Sequence, residues 1–145
     1  MEQSYVMLKP GYLEKEKEII ERLLRETGAT VKSRGQFRIS EQLLLEHYAH
    51  VAHLPFFSEN QDGKRSLKEY MTSGDVIGFV LEGEDGLVGR IRASIGRTDA
   101  SDEGSIRYDF IFDKTNSREN VIHASGNVEE AEQEIKRFAQ YLLKI

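Results

Sequence analysis

His123 stands in the run NVIHASG, an apolar stretch of strand length that leads into a helix start. Taken alone, a histidine in such a run is more often a core or capping residue than a catalyst. Its chemical alternative is covalent. Imidazole is both nucleophile and leaving group at neutral pH, provided one ring nitrogen is held so that the other presents its lone pair. Glu134 follows eleven residues later, where a carboxylate folded back could fix the tautomer, although by itself it reads as a solvated helix-face acid. Phosphoryl transfer is the reaction such a pair would suit. It depends on positioning and on neutralising charge over the equatorial oxygens, so the nucleophile needs fixed cations around it. Lys9 ends an apolar strand, Arg90 interrupts GLVGRI, and Arg107 stands between Ile106 and Tyr108. A shared anion cleft requires all three to converge on His123.

Other phosphate chemistries lack their signatures. There is no GxxxxGKS/T loop to cradle phosphates with backbone amides, no GxGxxG, and neither HRD nor DFG. His47, His50 and His53 have helical spacing, but no acidic or histidine partner completes a tetrahedral set, so no metal site is assigned.

The elements that must position these groups are legible as periodicities. Ser4 to Lys9 is a short apolar run ended by Pro10 and Gly11, a buried strand entering a turn. Ile19, Ile20, Leu23 and Leu24 repeat at helical spacing between Glu14 and Thr27, with Gly28 as the stop. From Val31 to Ile39 odd-numbered residues alternate with Lys32, Arg34, Gln36 and Arg38, which predicts a half-buried strand with one face. Ser40 is an N-cap for EQLLLEHY, and SLKEYMTSG ends another short helix. VIGFVL reads as a central strand, Leu87 to Ile95 as a helix, and an irregular polar segment follows. Asn127 with Glu130 opens a last helix that would bury Val128, Ala131, Ile135, Phe138 and Leu142. This order predicts an α+β fold: a ferredoxin-like βαββαβ arrangement, an antiparallel four-stranded sheet with helices packed on one face and extra short helices.

Composition narrows the function. A length of 145 residues with 39% hydrophobic content closes one core, and no linker or repeat divides residues 1–145. The absence of cysteine removes thiol chemistry and points to a reducing, cytoplasmic setting. No basic leader or long apolar window suggests secretion or membrane spanning. A net charge of −5 argues against nucleic acid as the partner but leaves a small anion open, because a local cluster of cations acts within a Debye length of about 8 to 10 Å.

Seven fragments in order resemble the nucleoside diphosphate kinase family over nearly the whole chain. VMLKP is similar to its strand-plus-KPDG start, EHYAHVAHLPFF to its HY...PFF segment, and YMTSGDVIGFVLEG to its YM.SGP.V..V.EG block; VGR, GSIRYDF, ENVIHASG and VEEAEQEI follow. The resemblance implies a ping-pong transfer of the γ-phosphoryl of a nucleoside triphosphate to a diphosphate through phosphohistidine at His123. Glu134 and Ser125 would hold the ring and assist. Lys9, Arg90, Arg107, Asn120 and Thr98 would bind phosphates or ribose, Tyr48 would lie near the phosphates, and Phe56 would stack on the base. Stacking does not distinguish bases, since every base has a π-face. Mg²⁺ would be held mainly by the nucleotide. Family members are usually hexamers or tetramers, which implies a homo-oligomer.

The chain departs from the family pattern at several places. KPGYLEKE lacks the usual Asp after Lys9 and Pro10, and two residues are missing there. SENQDGKRS, after Phe57, is about seven residues longer than the pattern, beside the expected base clamp. A further insertion around KTNSRE precedes Asn120, and Ala124 and Gly126 replace a Gly and an Asp behind His123. Two readings stay open: an active phosphotransferase, and a catalytically weak nucleotide-binding relative that works through partners.

Overall fold

A computed structural model describes residues 1–145. Strand β1 (Glu2–Leu8) leads through a single 3₁₀ turn to helix α1 (Glu16–Thr27) and strand β2 (Thr30–Phe37). Three short helices follow, α2 (Glu41–His47), α3 (Pro55–Ser58) and α4 (Leu67–Met71). Strand β3 (Val76–Gly83), helix α5 (Leu87–Ile95), a one-turn helix α6 (Ile106–Phe110), strand β4 (Ile122–Ala124), helix α7 (Val128–Phe138) and strand β5 (Leu143–Lys144) complete the chain. No helix is long and apolar enough to cross a membrane.

The sheet is antiparallel with strand order β4-β1-β3-β2-β5. Its first four strands have the ferredoxin-like order expected of βαββαβ. The fifth is a correction to the four-stranded expectation: two residues at the C-terminus add to the free edge of β2, pairing Ser33 with Lys144 and Arg34 with Leu143.

The expectation of helices on one face is also corrected. One cluster joins Val6 and Leu8 of β1 and Phe79 and Leu81 of β3 to Ile19 and Leu23 of α1 and Ile91 of α5. On the opposite face, Tyr5 and Met7 of β1 meet Leu44 of α2, Tyr70 of α4 and Phe138 of α7. Phe138 stacks on Tyr5 at 4.7 Å between ring centroids, 3° from parallel. Both faces of β1 are therefore buried, which is why its sequence reads as a continuous apolar run instead of an alternation. Each large side chain enclosed this way contributes roughly 1.5–3 kcal/mol.

Three local readings change as well. A bulge between Val31 and Ser33 breaks the alternation of β2, so that Val31 packs toward α1 while Phe37 and Ile39 face α7 and α2. Val128, expected in the core, is 43% exposed at the first turn of α7, whereas Glu134 on the same helix is buried. The segment read as irregular contains α6, whose N-cap Ser105 accepts the Tyr108 amide at 3.2 Å.

Candidate active site

Sheet register sets the nucleophile in place. His123 pairs with Met7 across β4 and β1, between Ile122 and Ala124, both of which point into the α1 side of the core. Alternation along the strand therefore sends the imidazole to the other face, over α7. The Cβ of Ala124, one of the departures noted above, is directed into that core and away from the ring.

The approach to β4 is strained. Val121 has φ of 81°, and the Ile122 amide donates to the Asn120 carbonyl at 3.0 Å, closing a three-residue γ-turn. A β-branched residue at positive φ costs on the order of 1–3 kcal/mol. The turn persists because its carbonyls are claimed: Lys9 N–H donates to Val121 O at 3.0 Å, and Arg107 donates to Asn120 O at 3.2 Å and to Ile122 O at 2.7 Å. Composition and periodicity gave no sign of this turn.

Glu134 reaches back from the middle of α7, a helix started by Asn127, whose Oδ1 accepts the Glu130 amide at 2.8 Å. Glu134 Oε1 lies 2.8 Å from His123 Nε2 and 2.9 Å from Ser125 Oγ. A carboxylate oxygen between two donors requires the proton on Nε2, so Nδ1 carries the lone pair. Ser125 is itself fixed by the Tyr5 N–H, which donates to its Oγ at 3.1 Å.

His47, at the end of α2, packs edge-on against His123 with ring centroids 4.6 Å apart. Burial, and then the neighbouring His123, hold its pKa well below the ordinary histidine range. Its Nδ1 meets Arg137 at 3.0 Å, while its buried Nε2 and the Tyr48 hydroxyl have no hydrogen-bond partner. The helical spacing of His47, His50 and His53 does not make a cluster, because α2 ends at His47 and both others are exposed.

His123 lines a cavity of about 700 Å³ together with Lys9, Arg92, Arg107, Thr98 and Asn120. Lys9 is buried and donates to Asn120 Oδ1 at 2.6 Å; Asn120 in turn donates to the Thr98 carbonyl at 2.7 Å. Burial, helped by the charge of Arg107, pushes the Lys9 ammonium down to about 7. Burial also lowers Arg107, to about 10, which leaves it charged at neutral pH. Two of the three expected cations thus converge on His123.

Arg90 does not. Its guanidinium donates to the carbonyls of Thr27, Asp85 and Glu84, where it ties the end of α1 to the turn before α5. Arg92, two residues along α5, is the cation that faces the cavity. The signal was present: Leu87, Val88, Ile91 and Ile95 form the buried stripe of α5, and Arg92 follows Ile91 at its border.

A second cavity, of about 550 Å³, adjoins the first and shares Lys9, Tyr48, His50, Thr98 and Asn120 with it. Phe56 and both long loops, 58–65 and 113–119, contribute to its wall.

An imidazole with one nitrogen anchored to a carboxylate and the other free, in a cleft of fixed cations, is suited to a covalent phosphoryl carrier. The nucleoside diphosphate kinase family model matches residues 2–141. A nucleoside diphosphate kinase from Methanothermobacter thermautotrophicus is 38% identical over 142 residues, covering 95% of this chain and 87% of its own. Among solved structures, the Aquifex aeolicus nucleoside diphosphate kinase superposes with a TM-score of 0.79 at 34% identity, covering 98% of this chain and 99% of that one. One from Halobacterium salinarum, in complex with CDP, gives 0.79 at 35% identity over 98% of this chain and 91% of that one. The chain belongs to the nucleoside diphosphate kinase family. It is a phosphotransferase that passes the γ-phosphoryl of a nucleoside triphosphate to a nucleoside diphosphate, and the catalytically weak alternative is not favoured.

Proposed function

We propose that His123 Nδ1 is the atom that carries the phosphoryl group. Nδ1 attacks the γ-phosphorus, the bond from that phosphorus to the β–γ bridging oxygen breaks, and the diphosphate leaves with the bond's electron pair. In the return half, a terminal oxygen of the acceptor's β-phosphate attacks phosphorus and the P–N bond breaks, which restores the lone pair on Nδ1. The single observation that supports this assignment is the 2.8 Å contact of Nε2 with Glu134, because it commits the proton to one nitrogen and leaves the other free within the cation-lined cavity.

Glu134 offsets the positive charge that develops on the ring as Nδ1 becomes bonded, and Ser125 keeps the carboxylate in place. Lys9, Arg92 and Arg107 neutralise the phosphates. Asn120 and Thr98 stand where the two cavities meet, a place suited to ribose and the first phosphate, and Tyr48 lines both cavities beside them. Phe56, in the second cavity, stacks on the base. The nearest group of candidate metal ligands, His47, His123 and Glu134, is mostly nitrogen and does not suit Mg²⁺. Mg²⁺ would instead be held by the phosphates of the nucleotide, where it would supply positive charge beside Lys9, Arg92 and Arg107. The chain works as a homo-oligomer, a hexamer or tetramer, in the cytoplasm. Light scattering that gives a monomer mass would overturn the oligomer.

Intact-mass spectrometry tests the covalent step. Wild-type protein exposed briefly to Mg·ATP gains one acid-labile phosphate, GDP discharges it as GTP, and His123→Ala gains none. An adduct on the alanine variant, or none on the wild type, would overturn the assignment.

A further inference from the structure

Helix α7 sends three side chains toward the nucleophile from one face, because Glu134, Arg137 and Phe138 are spaced i, i+3 and i+4. Glu134 bonds His123 directly. Arg137 reaches it through another ring. Its Nη1 lies 3.0 Å from Nδ1 of His47, and this is the one hydrogen bond that Arg137 makes within the chain. Phe138 closes on the same imidazole at 5.1 Å between centroids and Tyr48 at 4.8 Å, each 75° from its plane. His47 is thereby seated 4.6 Å from the ring of His123 and 81° from its plane.

A guanidinium carries only donors, so Nδ1 of His47 must present a lone pair to Arg137. The proton of that ring then sits on Nε2, which is buried and has no hydrogen-bond partner. A buried N–H without a partner costs stability, and the bond from Arg137 is what keeps it there. The consequence for His123 is mechanical. Rotation of its ring about the Cβ–Cγ bond is soft, since that torsion has broad minima. Nε2 lies closer to the rotation axis than Nδ1, so the bond to Glu134 restrains this twist less than the twist swings the attacking lone pair. A second ring packed nearly at right angles to the imidazole opposes the twist by contact.

We propose that Arg137 is a positioning residue for the phosphoryl transfer, acting through His47 to hold the plane of the His123 ring. The inference rests on the assignment of His123 as the carrier. Arg137 also lines the cavity of His123, so direct contact with a phosphate is the competing role for its charge. The observed bond favours the indirect role, because it is made to a neutral ring that is itself packed on the nucleophile. The two roles differ in what they change. A phosphate ligand sets nucleotide affinity, whereas a positioning residue leaves affinity alone and sets the rate at which Nδ1 attacks.

The test is the rate of phosphoenzyme formation from Mg·ATP by rapid quench, with affinity read from its dependence on nucleotide concentration and folding checked by thermal unfolding. Arg137→Leu is expected to slow phosphorylation of His123 about tenfold, with affinity within about twofold of the wild type. Arg137→Lys keeps a donor and recovers most of that loss. His47→Ala removes the ring itself and costs at least as much, and adding Arg137→Leu to it costs nothing more, because both act by one route. Long-range ¹H–¹⁵N spectra of the four histidines read the protons directly. His47 is expected as the Nε2–H form in the wild type and as a mixture with the Nδ1–H form in Arg137→Leu. Arg137 is half-buried, so its two variants carry the test if His47→Ala fails to fold. An unchanged rate in Arg137→Leu, a loss confined to affinity, a further loss in the double variant, or a wild-type His47 protonated on Nδ1 would overturn the proposal. A wild type that forms no phosphoenzyme rejects the carrier assignment itself, whereas a normal wild-type rate that Arg137→Leu leaves unchanged rejects this inference alone.

Discussion

The floor of the site and its outer wall are built on different principles. The floor is backbone: His123 is placed by a strand register, Lys9 by the end of the adjacent strand, and the Val121 turn by carbonyls bonded to Lys9 and Arg107. Glu134 joins it from α7, whose Phe138 is fully buried on Tyr5. The wall is side chains bridging loops, with Arg65 40% exposed in its pair with Glu119. Exposed ion pairs contribute about 0–1 kcal/mol each, whereas a buried backbone ladder is cooperative with the whole fold. Chemistry that needs sub-ångström placement sits on the rigid part, and the part free to vary in length lines the outer cavity with Phe56.

Damage to the floor should show in kcat. Glu134→Gln keeps the shape but removes the charge that holds the Nε2 proton; kcat in steady-state assays is expected to fall on the order of 10²-fold with KM nearly unchanged. A smaller effect separates two arginines on one helix. Arg92→Ala is expected to lower kcat/KM by about tenfold or more, the scale of one charge-assisted hydrogen bond. Arg90→Ala leaves kcat/KM within about twofold and instead lowers the unfolding free energy by roughly 1 kcal/mol, because its partners are backbone carbonyls. If Arg90→Ala proved the more damaging to catalysis, the assignment of the two would be reversed.

Lys9 gives a pH test between floor and solvent. Its pKa in the free protein is lowered from 10.5 to about 7, so the ammonium is lost as pH rises through 7, and bound phosphate restores it. Nucleotide binding above pH 7 therefore takes up a proton, and affinity falls with rising pH by at most tenfold per unit. Without nucleotide the sign reverses for folding. The unfolded chain keeps that proton up to the ordinary lysine range, so this group's contribution to stability increases from pH 7 upward. Calorimetry in buffers of different ionisation enthalpy reads the proton directly, and Lys9→Met should abolish the uptake.

The smallest effect tests the wall. Arg118 donates to the carbonyls of Glu59, Lys64 and Arg65 and so ties the two long loops together. Arg118→Ala frees both loops without touching His123, so nucleotide KM is expected to rise a few-fold while kcat stays within about twofold. A large loss of kcat would mean that the wall and the floor are mechanically one unit.

Helix α5 was legible to the residue, and the expected caps Ser40 and Asn127 both bond as N-caps. Local periodicity and capping chemistry suffice for such elements. The same locality misled at α5's arginines, because a two-residue step along a helix turns a side chain through about 200° and the residue strings around them are both plausible. It misled at Val31 too, where a bulge inverts the face without any glycine or proline to mark it.

Residue types admitted the class of chemistry, with a histidine, a distant glutamate and cations and no competing phosphate motif, and the seven ordered fragments similar to the nucleoside diphosphate kinase family carried it. What the chain's own order could not decide was which nitrogen is free, which arginine enters the cleft, and whether two separated insertions touch. Those depend on contacts between segments as far apart as Arg65 and Glu119, or His47 and His123, and such contacts exist only once the sheet has set the register that brings them together.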